Sequence, residues 1–156
     1  MSVNLAYDPV VSAPSTTPIG LALTRTAKLV SRAFDDTLAD AGGSLPTWLV
    51  LLALKQHPSA NQRQIAVAVG IQGATLTHHL NGMEADGLIT RRRDPANRRV
   101  HQVQLTESGE SLFHRLADAA RAHDRRLRDG LTNAEIDTLA HLLGRLRRNV
   151  GGVDGQ

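Results

Sequence analysis

The chain has 156 residues, enough for one domain with a hydrophobic core, and its 18 Lys and Arg against 15 Asp and Glu give a formal charge of +3. It contains no cysteine, which excludes disulfides, thiolate metal sites and thiol redox sensing. No apolar run approaches the roughly 18 residues of a membrane helix, and the first residues lack the basic-then-apolar layout of a secretory signal. We therefore expect a cytoplasmic protein without a membrane partner.

The first part of the chain predicts a loose arm followed by two helices. Three prolines within residues 1–18 favour a flexible, extended arm. A helical pattern then covers residues 19–41 and ends at the pair Gly42-Gly43. A second helix is predicted over residues 47–55, with Pro46 at its start. Because this helix is apolar nearly all round, it should be buried.

Two short helices joined by a tight link come next. Asn61, with Gln64 three residues on, has the arrangement of a capping box and should begin a helix over residues 62–69. A second helix is predicted over residues 73–86, with one buried side formed by Leu76, Leu80 and Met83. That burial leaves a polar, outward-facing set: Thr75, Thr77, His78, His79 and Asn81. The pair has the outline of a helix-turn-helix.

A basic hairpin follows these helices. Gly87 should stop the helix in a left-handed conformation, and residues 94–97 should reverse the chain between two strands. Five of the 18 Lys and Arg lie between Arg91 and Arg99, with Asp94 as the only acid among them. Such a cluster indicates phosphate contact better than the modest net charge does; the alternative is a solvated charged loop. Beside an outward-facing helix, it predicts a winged helix-turn-helix that binds double-stranded DNA.

The last part of the chain predicts two long helices, over residues 107–129 and 133–150, before a loose tail at 151–156. Apolar residues of the final helix recur at spacings of 3, 4, 3 and 4, which suits helix–helix packing: Ile136, Leu139, Leu143, Leu146 and Val150. Such helices exceed what a DNA-binding core needs, so we expect them to form a homodimer. The alternative is that this seam packs within its own chain.

The predicted fold is therefore mainly α with a small β wing. We expect a single domain over residues 19–150. Within it, residues 45–106 should form the winged helix-turn-helix core, and the long helices at 19–44 and 107–150 should form the dimerisation region.

The residues resemble the pattern of the MarR family, the multiple-antibiotic-resistance regulators, over most of the chain. The matching positions, at the family spacing, are Thr75-Leu76, Met83-Glu84, Gly87-Leu88-Ile89, Asn97-Arg98-Arg99, Thr106 and Gly109. The resemblance implies a homodimeric transcriptional regulator, most simply a repressor, that binds a palindromic operator. Two positions depart from the pattern. His78 stands where the family has Arg, Asn, Gly or Ser, and Asn97 stands where Asp is common.

The resemblance also implies DNA contacts residue by residue. Arg99 would enter the minor groove, where narrowing at A·T-rich sequence concentrates negative potential. Asn97 would hold Arg99, without the charge-assisted strength of an Asp. Phosphate contacts would come from Arg91, Arg93 and Arg98. The expected major-groove contacts are Gln72, Thr75, Thr77, His78 and His79, with simple packing as the alternative role of His79.

In such regulators a small molecule, commonly an aromatic acid, binds between the dimerisation helices and the DNA-binding part. Arg25 would pair with its carboxylate and Trp48 would stack on its ring. The alternatives are an exposed arginine and an ordinary core tryptophan.

Other functions find less support in the sequence. The 7 histidines lack the close spacing of a zinc site, so no metal and no cofactor is expected, with a zinc-responsive regulator as an alternative. No phosphate-binding loop or nucleophile motif is present, so we expect no enzymatic activity. The remaining alternatives are a non-specific architectural DNA-binding protein and a ligand-binding protein without operator control.

Overall fold

The computed structural model describes residues 17–93 and 101–151. Nearly all of the predicted N-terminal arm, residues 94–100 of the hairpin, and residues 152–156 lie outside the described residues. The chain divides into two units, residues 1–33 and 34–156, and each is described by itself. The predicted domain boundaries stay a prediction.

The elements follow the predicted order and confirm the fold class, mostly helical with a two-stranded antiparallel sheet. They are α1 (Ile19–Asp40), α2 (Leu45–Gln56), α3 (Gln62–Val69), α4 (Gly73–Ala85), β1 (Ile89–Arg93), β2 (His101–Leu105), α5 (Glu107–Leu127) and α6 (Asn133–Asn149). No single helix among these is long and apolar enough to cross a membrane; α1 and α2 pass the same test only when taken together as a bent pair.

The described part of the first unit is the beginning of α1, up to residue 33. Its large apolar side chains are exposed: Ile19, Leu21, Leu23 and Leu29. A helix with a partly apolar and solvent-exposed surface is typical of a helix that packs against another element. The described part of this unit therefore leaves apolar surface exposed to solvent.

The second unit is built around α2, whose apolar residues point in nearly every direction. Val50, Leu51 and Leu54 are buried among side chains from α3, α4, α5 and the sheet. The helix begins at Leu45, two residues earlier than the sequence predicted, because Ser44 caps it. The Ser44 hydroxyl oxygen accepts the backbone N–H of Thr47 at 3.3 Å, and a proline in the first turn forfeits no helical hydrogen bond.

The hairpin of β1 and β2, hereafter the wing, is antiparallel and pairs Arg91 with Val103. Its second strand is attached to the link between α2 and α3. The backbone N–H of Val103 donates to the carbonyl of Ala60 at 2.9 Å, and the amide of Gln104 donates to the Ser59 hydroxyl at 2.8 Å. The base of the wing is thus joined to the core from the β2 side.

The Thr-x-x-Gly motif joins the start of α5 to the end of α4. Thr106 caps α5 through the backbone N–H of Gly109, and its hydroxyl donates to the Gly87 carbonyl at 2.6 Å. Its backbone N–H donates to the Leu88 carbonyl at 3.1 Å. A Cβ on Gly109 would lie 2.0 Å from that same carbonyl oxygen, so the close approach requires glycine.

The two C-terminal helices differ in burial. Leu112 and Leu116 of α5 are buried in the core, whereas α6 has no buried residue. Leu139 is 50% exposed and Leu142 is 46% exposed. The apolar seam predicted for α6 therefore lacks full cover within its own unit.

Candidate nucleic-acid interface

The helix-turn-helix consists of α3 and α4, and its geometry follows the local sequence. Asn61 and Gln64 form the predicted capping box at the start of α3. Gly70 ends that helix with a φ of 70°, a conformation that favours glycine. Buried Ile65 of α3 and buried Leu76 and Leu80 of α4 hold the two helices in the core. The predicted helix-turn-helix is confirmed.

The end of α4 turns the chain into the wing through a Schellman arrangement. Gly87 has a φ of 70°, its N–H donates to the carbonyl of Glu84 at 3.0 Å, and the N–H of Leu88 donates to the carbonyl of Met83 at 2.9 Å. The left-handed stop predicted at Gly87 is therefore confirmed.

The predicted major-groove residues are divided by burial. Gln72, Thr75 and His78 are exposed, whereas Thr77 and His79 are half-buried. Of these five, the exposed three are available to a ligand as large as DNA without any rearrangement. Their contacts with bases stay a prediction.

The Thr77 hydroxyl is already engaged inside the helix-turn-helix. It donates to the Gly73 carbonyl at 2.8 Å and accepts the side-chain amide of Gln62 at 2.5 Å. These two bonds join α3 to α4, a role that the sequence did not reveal. The hydroxyl proton of Thr77 is therefore not available to a base, whereas its methyl group remains free for an apolar contact such as that with a thymine methyl.

The three arginines of β1 differ in burial along the strand. Arg91 lies two residues after buried Ile89 and is half-buried, with its side chain 20% exposed. Arg92 and Arg93 are exposed. The phosphate contacts predicted for Arg91 and Arg93 stay predictions, and exposed Arg92 joins the basic surface.

Arg91 contacts the recognition-helix candidate α4 with its guanidinium group. Nη2 donates to the side-chain oxygen of Asn81 at 2.5 Å, and Nε lies 3.2 Å from a carboxylate oxygen of Glu84. The sequence analysis did not identify Asn81 and Glu84 as its partners. Two signals were available: Asn81 and Glu84 lie three residues apart on one helical face, and Arg91 follows Ile89 on the inward face of the strand.

Three predicted wing residues, Asn97, Arg98 and Arg99, lie outside the described residues. Their contacts with DNA stay predictions that rest on the family resemblance.

A surface cavity of about 630 Å³ lies beside α4. Its polar lining comprises Ser44, Thr47, His78, His79, Asn81 and Asp86, and its apolar lining includes Met83, Leu88 and Leu112. Among the described residues, its lining contains a carboxylate but no lysine or arginine. The cavity and the outward surface of α4 thus share His78, His79 and Asn81.

The two residues predicted to hold an aromatic acid lie in different units. Arg25 is exposed in the first unit. Trp48 belongs to the second, where its ring stacks on Phe113 with centroids 5.6 Å apart and an interplanar angle of 17°. One face of the indole is therefore taken by core packing, and Trp48 is not part of the lining of the cavity beside α4. Their shared ligand site stays a prediction.

The described residues contain no group of three or more His, Asp or Glu side chains placed to hold a metal ion. His123 is buried, and its ring lies 5.1 Å from that of Phe34.

Comparison with known proteins places these features in a family. Residues 44–101, which include the helix-turn-helix and the first strand of the wing, match the model of the MarR family. The solved structure of the transcriptional repressor CouR bound to a 23-mer DNA duplex is 31% identical, with a TM-score of 0.73, and the match covers 83% of this chain and 92% of that one.

Two further solved structures share the fold. A MarR-family transcriptional regulator from Rhodococcus sp. RHA1 is 26% identical, with a TM-score of 0.67, and the match covers 82% of this chain and 91% of that one. BpsR of Bordetella bronchiseptica, whose DNA binding is regulated by 6-hydroxynicotinic acid, is 24% identical, with a TM-score of 0.74, and the match covers 92% of this chain and 99% of that one.

Proposed function

Because the chain belongs to the MarR family of DNA-binding transcription regulators, we propose that it is a homodimeric repressor that binds a palindromic operator through α4 and the wing. The observation that carries this proposal is the surface of α4, which exposes Gln72, Thr75 and His78 beside the exposed arginines of β1. Polar side chains on a helix read base edges in the major groove, and arginines bind phosphate. The likeness to the DNA-bound repressor CouR supports the same assignment.

The wing completes this surface in the proposal. Arg99 enters the minor groove, Asn97 holds it, and Arg93 and Arg98 contact phosphates on either side. Minor-groove insertion favours A·T-rich flanks, where the groove is narrow and its negative potential is strongest. His79 is half-buried and in this proposal contributes more to packing beside the cavity than to base contact.

Dimerisation is the second part of the proposal. Helix α6 leaves Leu139, Leu142 and Val150 substantially exposed, and Leu127 of α5 is 45% exposed. Burying such a surface against a second copy stabilises the dimer by about 25 cal/mol for each Å² of apolar surface removed from water. A two-fold dimer places two recognition helices one DNA turn apart, about 34–36 Å, which explains why the operator should be palindromic.

The effector site that we propose is the cavity beside α4. Its volume of about 630 Å³ lies within the range of small-molecule sites. Since its lining supplies hydroxyls, imidazoles, an amide and the Asp86 carboxylate without a lysine or arginine, it favours a neutral or cationic ligand over an anion. This differs from the aromatic acid expected from Arg25 and Trp48. A ligand there acts on DNA binding by preferring one position of α4 over another.

The test is a DNA-binding titration against the protein's own upstream region and a scrambled duplex, at several salt concentrations. Salicylate, salicylamide and a zinc salt are added in separate parallel series; the first two share a phenol ring, but only salicylate is an anion at neutral pH. We expect binding that depends on the palindrome, and we expect salicylamide to weaken it more than salicylate does. Release by salicylate alone would restore the Arg25 and Trp48 site, and release by zinc would favour the zinc-responsive alternative. Equal binding to both duplexes would indicate an architectural DNA-binding protein.

A further inference from the structure

We propose that Arg91 is a positioning residue, which fixes the wing against the recognition helix α4 instead of contacting phosphate. The inference rests on the proposed DNA-binding surface and concerns how its two parts are held together. It changes the role that the family resemblance gives to Arg91.

The contacts of Arg91 use the guanidinium as a bridge. One edge donates to the amide oxygen of Asn81 at 2.5 Å, and Nε faces the Glu84 carboxylate at 3.2 Å. The Nε atom is buried, and its contact with Glu84 is an ion pair without the geometry of a hydrogen bond. Because the guanidinium is planar and its donors are fixed relative to one another, contacts with two residues of α4 constrain both the distance and the angle between β1 and α4.

Phosphate contact through Nη2 or Nε would require Arg91 to leave one of these two partners. If Arg91 left Glu84, the exposed Glu84 carboxylate would lose its counter-charge beside the DNA backbone. The pair of Arg91 and Glu84 is neutral as a unit and therefore adds nothing to counterion release on DNA binding. Arg92 and Arg93, both exposed, are free of this constraint on the described surface and better suited to phosphate.

The opposite strand of the wing is fixed independently. Val103 of β2 donates its N–H to Ala60, and Gln104 donates its amide to Ser59. With Arg91 holding β1 to α4, both strands are anchored at the base of the hairpin. The described strands of the wing and the recognition helix are then held in one relative position, and this preorganisation favours the specific complex.

Glu84→Gln gives different results under the two roles. It removes a negative charge near DNA in either case, so the readout is the ratio of operator affinity to scrambled-DNA affinity. If Arg91 positions the wing, the loosened bridge should lower this ratio about threefold to tenfold. If Arg91 contacts phosphate, both affinities should rise together, and an unchanged ratio would overturn the inference.

Salt dependence and rescue provide readouts that a change in stability alone would not move. Arg91→Ala should keep the wild-type slope of log affinity against log salt, whereas the matched control Arg93→Ala, on the same face of the same strand, should lower the slope by about 1. Arg91→Lys keeps the charge but not the fork, so it should resemble Arg91→Ala in operator affinity. A slope lowered by Arg91→Ala and restored by Arg91→Lys would assign Arg91 to phosphate.

A double-mutant cycle completes the test. Because both residues act through one bridge, Arg91→Ala combined with Glu84→Ala should weaken operator binding no more than Arg91→Ala alone. Additive losses would contradict the bridge. Wild-type protein that binds operator and scrambled DNA equally would overturn the proposed function and this inference with it, whereas specific wild-type binding with the phosphate pattern would overturn only the inference.

Discussion

Gly109→Ala tests the close approach between the start of α5 and the entrance to the wing. The new Cβ would lie 2.0 Å from the Leu88 carbonyl oxygen, while ordinary contacts begin near 3.4 Å, so the two backbones must move apart by about 1.4 Å. Overpacking of this kind costs about 1–3 kcal/mol. Loss of the Thr106 N–H bond to the same carbonyl adds about 1 kcal/mol. We expect the free energy of unfolding to fall by about 2–4 kcal/mol.

Urea unfolding at fixed protein concentration measures this loss, because the midpoint shift multiplied by the slope m gives the change in free energy. Gly82→Ala on α4 is the matched control: its Cβ would meet nothing within 4 Å, so it should raise stability by about 0.5–1 kcal/mol through helix propensity. A Gly109→Ala midpoint at or above that of the wild type would refute the steric argument.

Three further predictions concern separate parts of the molecule. Thr77→Val keeps the shape but removes the hydroxyl that bonds Gln62, so urea unfolding should show a loss of about 1–2 kcal/mol, and an unchanged midpoint would contradict the bridge between α3 and α4. Backbone and side-chain hydrogen bonds from Thr132 lower the pKa of Glu135 below its ordinary 4.5. The contribution of this capping carboxylate to the stability of α6 should be complete above pH 4.5 and should be lost as the pH falls through the lowered pKa. An NMR titration of α6 should show this loss. Glu135→Gln, which keeps the capping box without the charge, should abolish the pH dependence. Leu139→Glu places a charge on the exposed seam of α6 and should convert the dimer to monomer in sedimentation velocity; an unchanged dimer would exclude this seam from the interface.

Local signals in the sequence were sufficient for most of the helices. The capping box of Asn61 and the glycine at residue 70 predicted α3 with its observed bounds, since each fixes a backbone hydrogen-bonding pattern within a few residues. The Leu76, Leu80 and Met83 spacing predicted the buried side of α4. Elements whose ends are determined by local hydrogen bonds can therefore be predicted from the sequence.

Features that depend on contacts between distant residues were missed or incomplete. Helix α2 begins two residues before its predicted start, because the Ser44 cap and not the apolar pattern determines where the helix begins. The hydrogen bond to the Thr77 hydroxyl from Gln62, 15 residues earlier, was not predicted. Arg91 was counted with the basic cluster, although its partners lie on α4. Charge and periodicity indicate which residues face outward, but not which neighbour already satisfies them.

In the proposed function, the cavity beside α4 connects effector binding to DNA recognition, and it does so through His78, one of the two positions that depart from the family pattern. His78 is exposed on α4 and also lines the cavity, together with His79 and Asn81. In the proposed function, one helix therefore presents side chains to both the operator and the effector. Asn81 in addition accepts the Arg91 hydrogen bond that anchors the wing. A ligand that draws Asn81 or His78 toward the cavity would change the recognition surface and the wing anchor together, because the same side chains cannot satisfy both sets of partners.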